Sequence, residues 1–140
     1  MTDDIGIFTH PLTVTADVID GNGHVNNVVY VQWMQDAAVA HFRSRIDDAL
    51  MKSLGCTWVA RSHQIEYLLP AVENDDIEVR TWIVNWRRVR SVRRYRFIRC
   101  SDQQIVARGE TDWVLINADT GRPMSVPDPI RNAFVLCEDG

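Results

Sequence analysis

Between positions 20 and 27 the chain reads Asp20-Gly21-Asn22-Gly23-His24-Val25-Asn26-Asn27, its densest run of chemically useful side chains. The Asp20 carboxylate can act as a general base, and the His24 imidazole can orient it or shuttle a proton. Asp20 is equally suited to act as a nucleophile, since a carboxylate can form a covalent intermediate that water then opens. The run stops where a long apolar segment begins. Unpaired N–H groups at a helix start, here near Val25, Asn26 and Asn27, form a partial positive pole that can hold the oxyanion made when a carbonyl is attacked. The plain alternative is a loop capped by Asp and Asn, with His24 a capping residue and no more.

A second candidate is cationic. Fourteen of the 15 basic residues are Arg, and seven of them fall between positions 87 and 99. Guanidinium groups pair with phosphate oxygens in a fixed fork, so Arg88, Arg90, Arg93 and Arg94 are candidates for a phosphate-bearing ligand. A charged strand edge that discourages edge-to-edge pairing explains the same residues. Strand alternation divides them: Arg94 and Arg96 share a face with Val92 and Ile98, while Arg93 and Arg99 share one with Tyr95 and Phe97. His10, His41 and His63 are dispersed, without i,i+4 pairing or a cysteine cluster, so no metal site is expected. His63 reads as a packing or hydrogen-bonding residue, and Asp36 as a polar residue on a helix face.

These groups must be held by a single core. The chain has 140 residues, 46% hydrophobic and 24% charged, which fits one domain spanning 1–140 and excludes a disordered or low-complexity chain. Nineteen acidic against 15 basic residues give a net charge of -4, which speaks against a nucleic-acid partner despite the aromatic residues near the arginines. Cys56, Cys100 and Cys137 are odd in number and widely spaced, which suits a reducing compartment. With no signal-like amino terminus and no apolar run long enough for a membrane span, a soluble cytoplasmic location is expected.

Alternation marks a first strand from Phe8 to Ala16, broken by the turn formers at 20–23. From Val25 to Leu50 no Pro or Gly intervenes, and Tyr30, Met34, Ala37, Ala38, Phe42, Ile46 and Leu50 recur near helical spacing, predicting one long helix buried on most sides. Its first turn carries β-branched residues that disfavour helix, and Asn26 or Asn27 can cap it. Four β-rich runs follow, at 58–69, 77–86, 92–100 and 105–116, separated by short polar turns suited to antiparallel connections. Pro127-Asp128-Pro129 opens a short terminal helix through Val135. The expected class is α+β: a five-stranded antiparallel sheet around one long helix, in the order β-α-β-β-β-β.

The string Asp20-x-x-Gly23-His24-Val25-Asn26-Asn27-x-x-Tyr30-x-x-Trp33 resembles that of hotdog-fold thioesterases of the 4-hydroxybenzoyl-CoA thioesterase type. The loop is also similar to that of acyl-ACP thioesterases, in which the matching Asp, Asn and His are assigned to the site. The resemblance implies a hotdog fold and hydrolysis of an acyl-thioester to free acid and coenzyme A. In it Asp20 acts as nucleophile or general base, and the carbonyl is polarised near Asn27. It implies acyl-CoA, or an acyl carrier protein, as the partner, and no cofactor beyond the coenzyme A of the substrate. Tyr30, Trp33, Met34 and Trp58 then line an acyl channel or pack the core, and Arg88, Arg90, Arg93 and Arg94 face coenzyme A phosphates. Edge pairing of two sheets into a homodimer or homotetramer is also implied. Two positions depart from the family pattern: Val18 stands where many relatives carry a second acid, and Gln35 or Asp36 where a helical Glu is common. The hotdog hydratases, with an Asp-x-Asn-Pro-x-His run, are a rival within the fold, although His24 follows Asp20 by four residues and no Pro follows Asn22. A non-hydrolytic acyl-thioester binder is the rival outside catalysis.

Overall fold

The computed structural model describes residues 6–138. Strands β1 (Phe8–Thr13), β2 (Cys56–Tyr67), β3 (Asp76–Ile83), β4 (Arg90–Arg99) and β5 (Gln104–Asn117) form one sheet in the order β1-β3-β4-β5-β2, every pairing antiparallel. Helix α1 (Val29–Arg43) packs on one face of it, followed by α2 (Asp48–Leu54) and, after the sheet, α3 (Asp128–Arg131). This is the expected hotdog architecture.

The helical segment differs from the expectation. Two helices replace the single one predicted over 25–50, because Ser44, Arg45 and Ile46 turn the chain and Asp47 starts a new helix by accepting the Leu50 N–H at 2.8 Å. Gly55, at φ +66, then ends α2 in the left-handed region. At the other end, Val25 is drawn into a bridge with Ile19, and α1 begins only at Val29. Of the β-branched residues there, Val25 takes the extended pairing, while Val28 already has helical backbone angles and Val29 and Val31 lie within α1. Strand β1 stops at Thr13, with a 3-10 turn at Ala16–Val18, and α3 ends at Arg131 rather than Val135.

Helix α1 is buried along one stripe, Tyr30, Met34, Ala37, Ala38 and His41, and not on most sides: Val28 is 71% and Val39 43% exposed. Under the stripe, Tyr95 and Phe97 of β4 are closed off, burial of an apolar side chain such as Phe97 stabilising the fold by about 1.5–3 kcal/mol. Gly109 of β5 lets the helix approach, since a Cβ there would lie 2.8 Å from the Met34 Sδ. A second cluster, with Ile46, Ile83, Leu115, Ile130 and Phe134, closes the far end of α1. The edges of the sheet are β1 and β2, and Thr57, Val59, Arg61, Ser62, Gln64 and Glu66 along β2 are exposed.

Candidate active site

The loop before α1 is stitched into shape by its backbone. The Asp20 N–H donates to the His24 carbonyl at 2.8 Å and the Gly23 N–H to the Asp20 carbonyl at 3.1 Å, with Gly23 at φ +77 completing the turn. The Asn26 N–H reaches the Val18 carbonyl and the Val25 N–H the Ala71 carbonyl, both at 2.9 Å. From β2, the Tyr67 hydroxyl donates to the Asn27 carbonyl at 2.8 Å.

These bonds correct the expected donor set. Val25 and Asn26 have their N–H groups occupied, and the Val28 N–H donates to the Asn26 side-chain oxygen at 3.1 Å. Of the three expected donors, Asn27 alone has an N–H with no acceptor among the described residues. Asn26 is the residue that caps the approach to the helix, through that side-chain bond.

Asp20 is half-buried, and one carboxylate oxygen accepts the Asn22 backbone N–H at 2.9 Å. That bond, and not the Asn22 or His24 side chain, orients it. Both side chains are exposed and make no hydrogen bond among the described residues. Asp36 lies exposed on α1, accepting from Gln32 at 2.8 Å, and His63 bonds Thr111 at 2.8 Å, in the roles their spacing suggests.

The residues expected along an acyl channel separate. Tyr30 and Met34 are closed within the core, Tyr30 edge-on to Trp33, Tyr67 and Phe97, and burial pushes the Tyr30 hydroxyl up to about 12. Trp58 instead lines a cavity of about 250 Å³ beside the second half of α1, with Phe42, Met51, Trp86 and Trp113.

The arginines separate as well. Arg90 holds Asp112 with two hydrogen bonds, 3.2 and 2.6 Å, and Arg94 holds Glu110 at 3.0 Å. Arg88 is exposed, its side chain without a partner among the described residues. Arg93 departs from the expectation of a surface phosphate ligand: it is 4% exposed and donates from Nη1 to His41 Nδ1 at 2.9 Å and Thr81 Oγ1 at 3.1 Å. Its place beside Tyr95 and Phe97 in the alternation was the available signal. Burial foremost, and then the Arg93 charge, hold His41 down at about 3, so its Nδ1 is a neutral acceptor.

The sheet, the helix and the loop at its start define a hotdog domain. A family model, the thioesterase-like superfamily, matches residues 14–134, and the chain belongs to that family. It is similar to an oleoyl-acyl carrier protein thioesterase of Arabidopsis thaliana, 31% identical over 87 residues, which cover 61% of this chain and 23% of that protein. The chain thus spans about a quarter of the length of the curated relatives it matches. Among solved structures, an acyl-ACP thioesterase from Bacteroides thetaiotaomicron superposes with a TM-score of 0.87 at 22% identity, over 99% of this chain and 57% of that one. A 1,4-dihydroxy-2-naphthoyl-CoA thioesterase from Synechocystis does so with a TM-score of 0.82 at 23% identity, over 91% and 95%. Among the described residues no helix is long and apolar enough to cross a membrane.

Proposed function

We propose that this chain is an acyl-thioester hydrolase acting on acyl-CoA, with Asp20 as its essential acid. The observation that carries the reading is that one loop, ahead of α1, holds both a half-buried carboxylate fixed by the Asn22 N–H and, at Asn27, an N–H that has no acceptor among the described residues. The thioester carbonyl accepts from Asn27, and Asp20 either takes a proton from water or attacks the carbonyl carbon itself. With Asp20 as base, the water oxygen bonds the acyl carbon as the C–S bond breaks; with Asp20 as nucleophile, the C–S bond breaks to leave an acyl-aspartyl anhydride, which water then opens to the free acid and the Asp20 carboxylate. In both routes the thiolate leaves and takes up a proton. A positioned base contributes about 10²- to 10⁴-fold and one oxyanion donor roughly 3 kcal/mol. Asn22 and His24 line the open side of the loop, where His24 can carry the proton to the thiolate. Arg88, exposed and with no side-chain partner among the described residues, is in this reading the arginine available to a coenzyme A phosphate.

The working unit in this reading is at least a homodimer, made by pairing β2 with β2 of a second copy. The support is a twelve-residue edge strand with largely exposed side chains, Val59 and Tyr67 on it and Leu68 just beyond it all more than 40% exposed. A homotetramer stacks two such pairs. Cys56 and Cys100 form no disulfide among the described residues, which fits a reducing, cytoplasmic setting.

A thiol-release assay over a panel of acyl-CoA and acyl-carrier-protein thioesters tests the activity. Thiol release from acyl-CoA is expected. Tight binding without release would identify a binder, loss of enoyl absorbance without release a hydratase, and release from the carrier protein alone would move the substrate to that class.

A further inference from the structure

Strand β4 treats its arginines unequally. Arg90, Arg94 and Arg99, all at the surface, are paired with Asp112, Glu110 and Asp102 at 2.6, 3.0 and 2.7 Å. The buried Arg93 has no carboxylate partner among the described residues, only the neutral acceptors His41 and Thr81. Both go to Nη1, so Nε and Nη2 make no hydrogen bond among the described residues. Burial lowers the Arg93 pKa to about 10, which still leaves a cation at neutral pH. A desolvated cation without an anion is a costly arrangement that a folded chain keeps only when something offsets it.

Arg93 lines the 250 Å³ cavity beside α1 and α2. The acid on that lining, Asp48, is exposed and paired with Arg43 at 3.2 Å. A further lining residue, Trp58, has an indole N–H that is buried without an acceptor among the described residues. The site therefore offers the positive charge of Arg93 within aromatic walls. A cavity of about 150 Å³ admits benzene, so this one has room for a substituted ring or a short chain.

We propose that this cavity is an acyl pocket selecting acyl groups that carry a second anionic group, a carboxylate set against Arg93, on a ring or short chain. The proposal rests on the thioesterase reading above and on the β2 pairing. The Tyr67 end of β2 is bonded to Asn27, and the Trp58 end lines the cavity. Antiparallel pairing of β2 with its own copy sets the cavity of one subunit beside the Asp20 loop of the other. Within one chain, Ala38 on the cavity wall lies about 16 Å along the helix from Asn27.

Two measurements test it. Tryptophan fluorescence titration of the wild-type protein with benzoate and with benzamide compares an anion with its neutral analogue, and reads Trp58, Trp86 and Trp113 without any catalysis. Benzoate should bind at least about tenfold more tightly, a difference that Arg93→Met removes; equal binding, or binding of neither, overturns the proposal. In the thiol-release assay, glutaryl-CoA should be cleaved with a kcat/KM at least about tenfold above that of hexanoyl-CoA, and Arg93→Met should collapse the ratio. Equal cleavage of the two leaves the hydrolase standing and the proposal overturned. No release from any thioester, with benzoate still preferred, overturns the hydrolase reading and leaves the anion site.

Discussion

The two ends of α1 handle polar groups in opposite ways. At its start, Asp20, Asn22, His24 and Asn27 lie in a loop open to solvent, shaped by main-chain bonds that leave side chains and one N–H available. Toward its end, His41, Thr81 and Arg93 are each at most 4% exposed, and Arg93 is bonded to the other two. The first arrangement keeps groups ready for a reaction at little cost in desolvation. The second holds a charge away from water, which makes sense for recognition and not for proton transfer.

Substitutions can break this contrast or sharpen it. Met34 is fully buried between the two ends, against Gly109, so Met34→Ala should undo both at once. A loss of about 2–5 kcal/mol in urea unfolding is expected, with activity falling as the protein loosens. His41 isolates the buried end. Its folded pKa, lowered to about 3, lies below the usual 6.5, so the unfolded chain takes up the proton first as pH falls. Stability from this group is complete above about pH 6.5 and is lost between there and about pH 3, at up to roughly 1.4 kcal/mol per pH unit. Urea unfolding from pH 7 to pH 5 should show that slope in wild type and a flatter one in His41→Gln; parallel slopes would place the group in water. Asp47→Ala removes only the cap of α2, which covers the cavity through Met51, and should cost about 1 kcal/mol without changing kcat.

What the sequence made legible follows the same division. The strands announced themselves through runs rich in Val, Ile and Trp between Pro70, Asn74 and the polar turns, and the loop at 20–27 was visible because its residues are neighbours in the chain. Which N–H stays available was not visible, because Ala71 and Val18 reach the loop only in the fold. The break in the predicted helix carried no Pro or Gly, and Asp47 followed by Asp48 was its sole mark. The Arg93 cluster joins positions 41, 81 and 93 from a helix and two strands, so periodicity could say that Arg93 shares the face of Tyr95 and Phe97 but not what meets it there. The paired acids of Arg90 and Arg94 likewise come from β5, across the sheet register.

The central claim is that the Asp20 carboxylate drives thioester cleavage at the start of α1. Its most direct test is kcat for thiol release by Asp20→Asn, measured beside the melting temperature of the same variant. A fall in kcat of at least about a hundredfold with Tm unchanged is predicted, since the amide keeps the oxygen that accepts the Asn22 N–H and loses the base. A kcat within a few-fold of wild type in a folded variant would contradict the account.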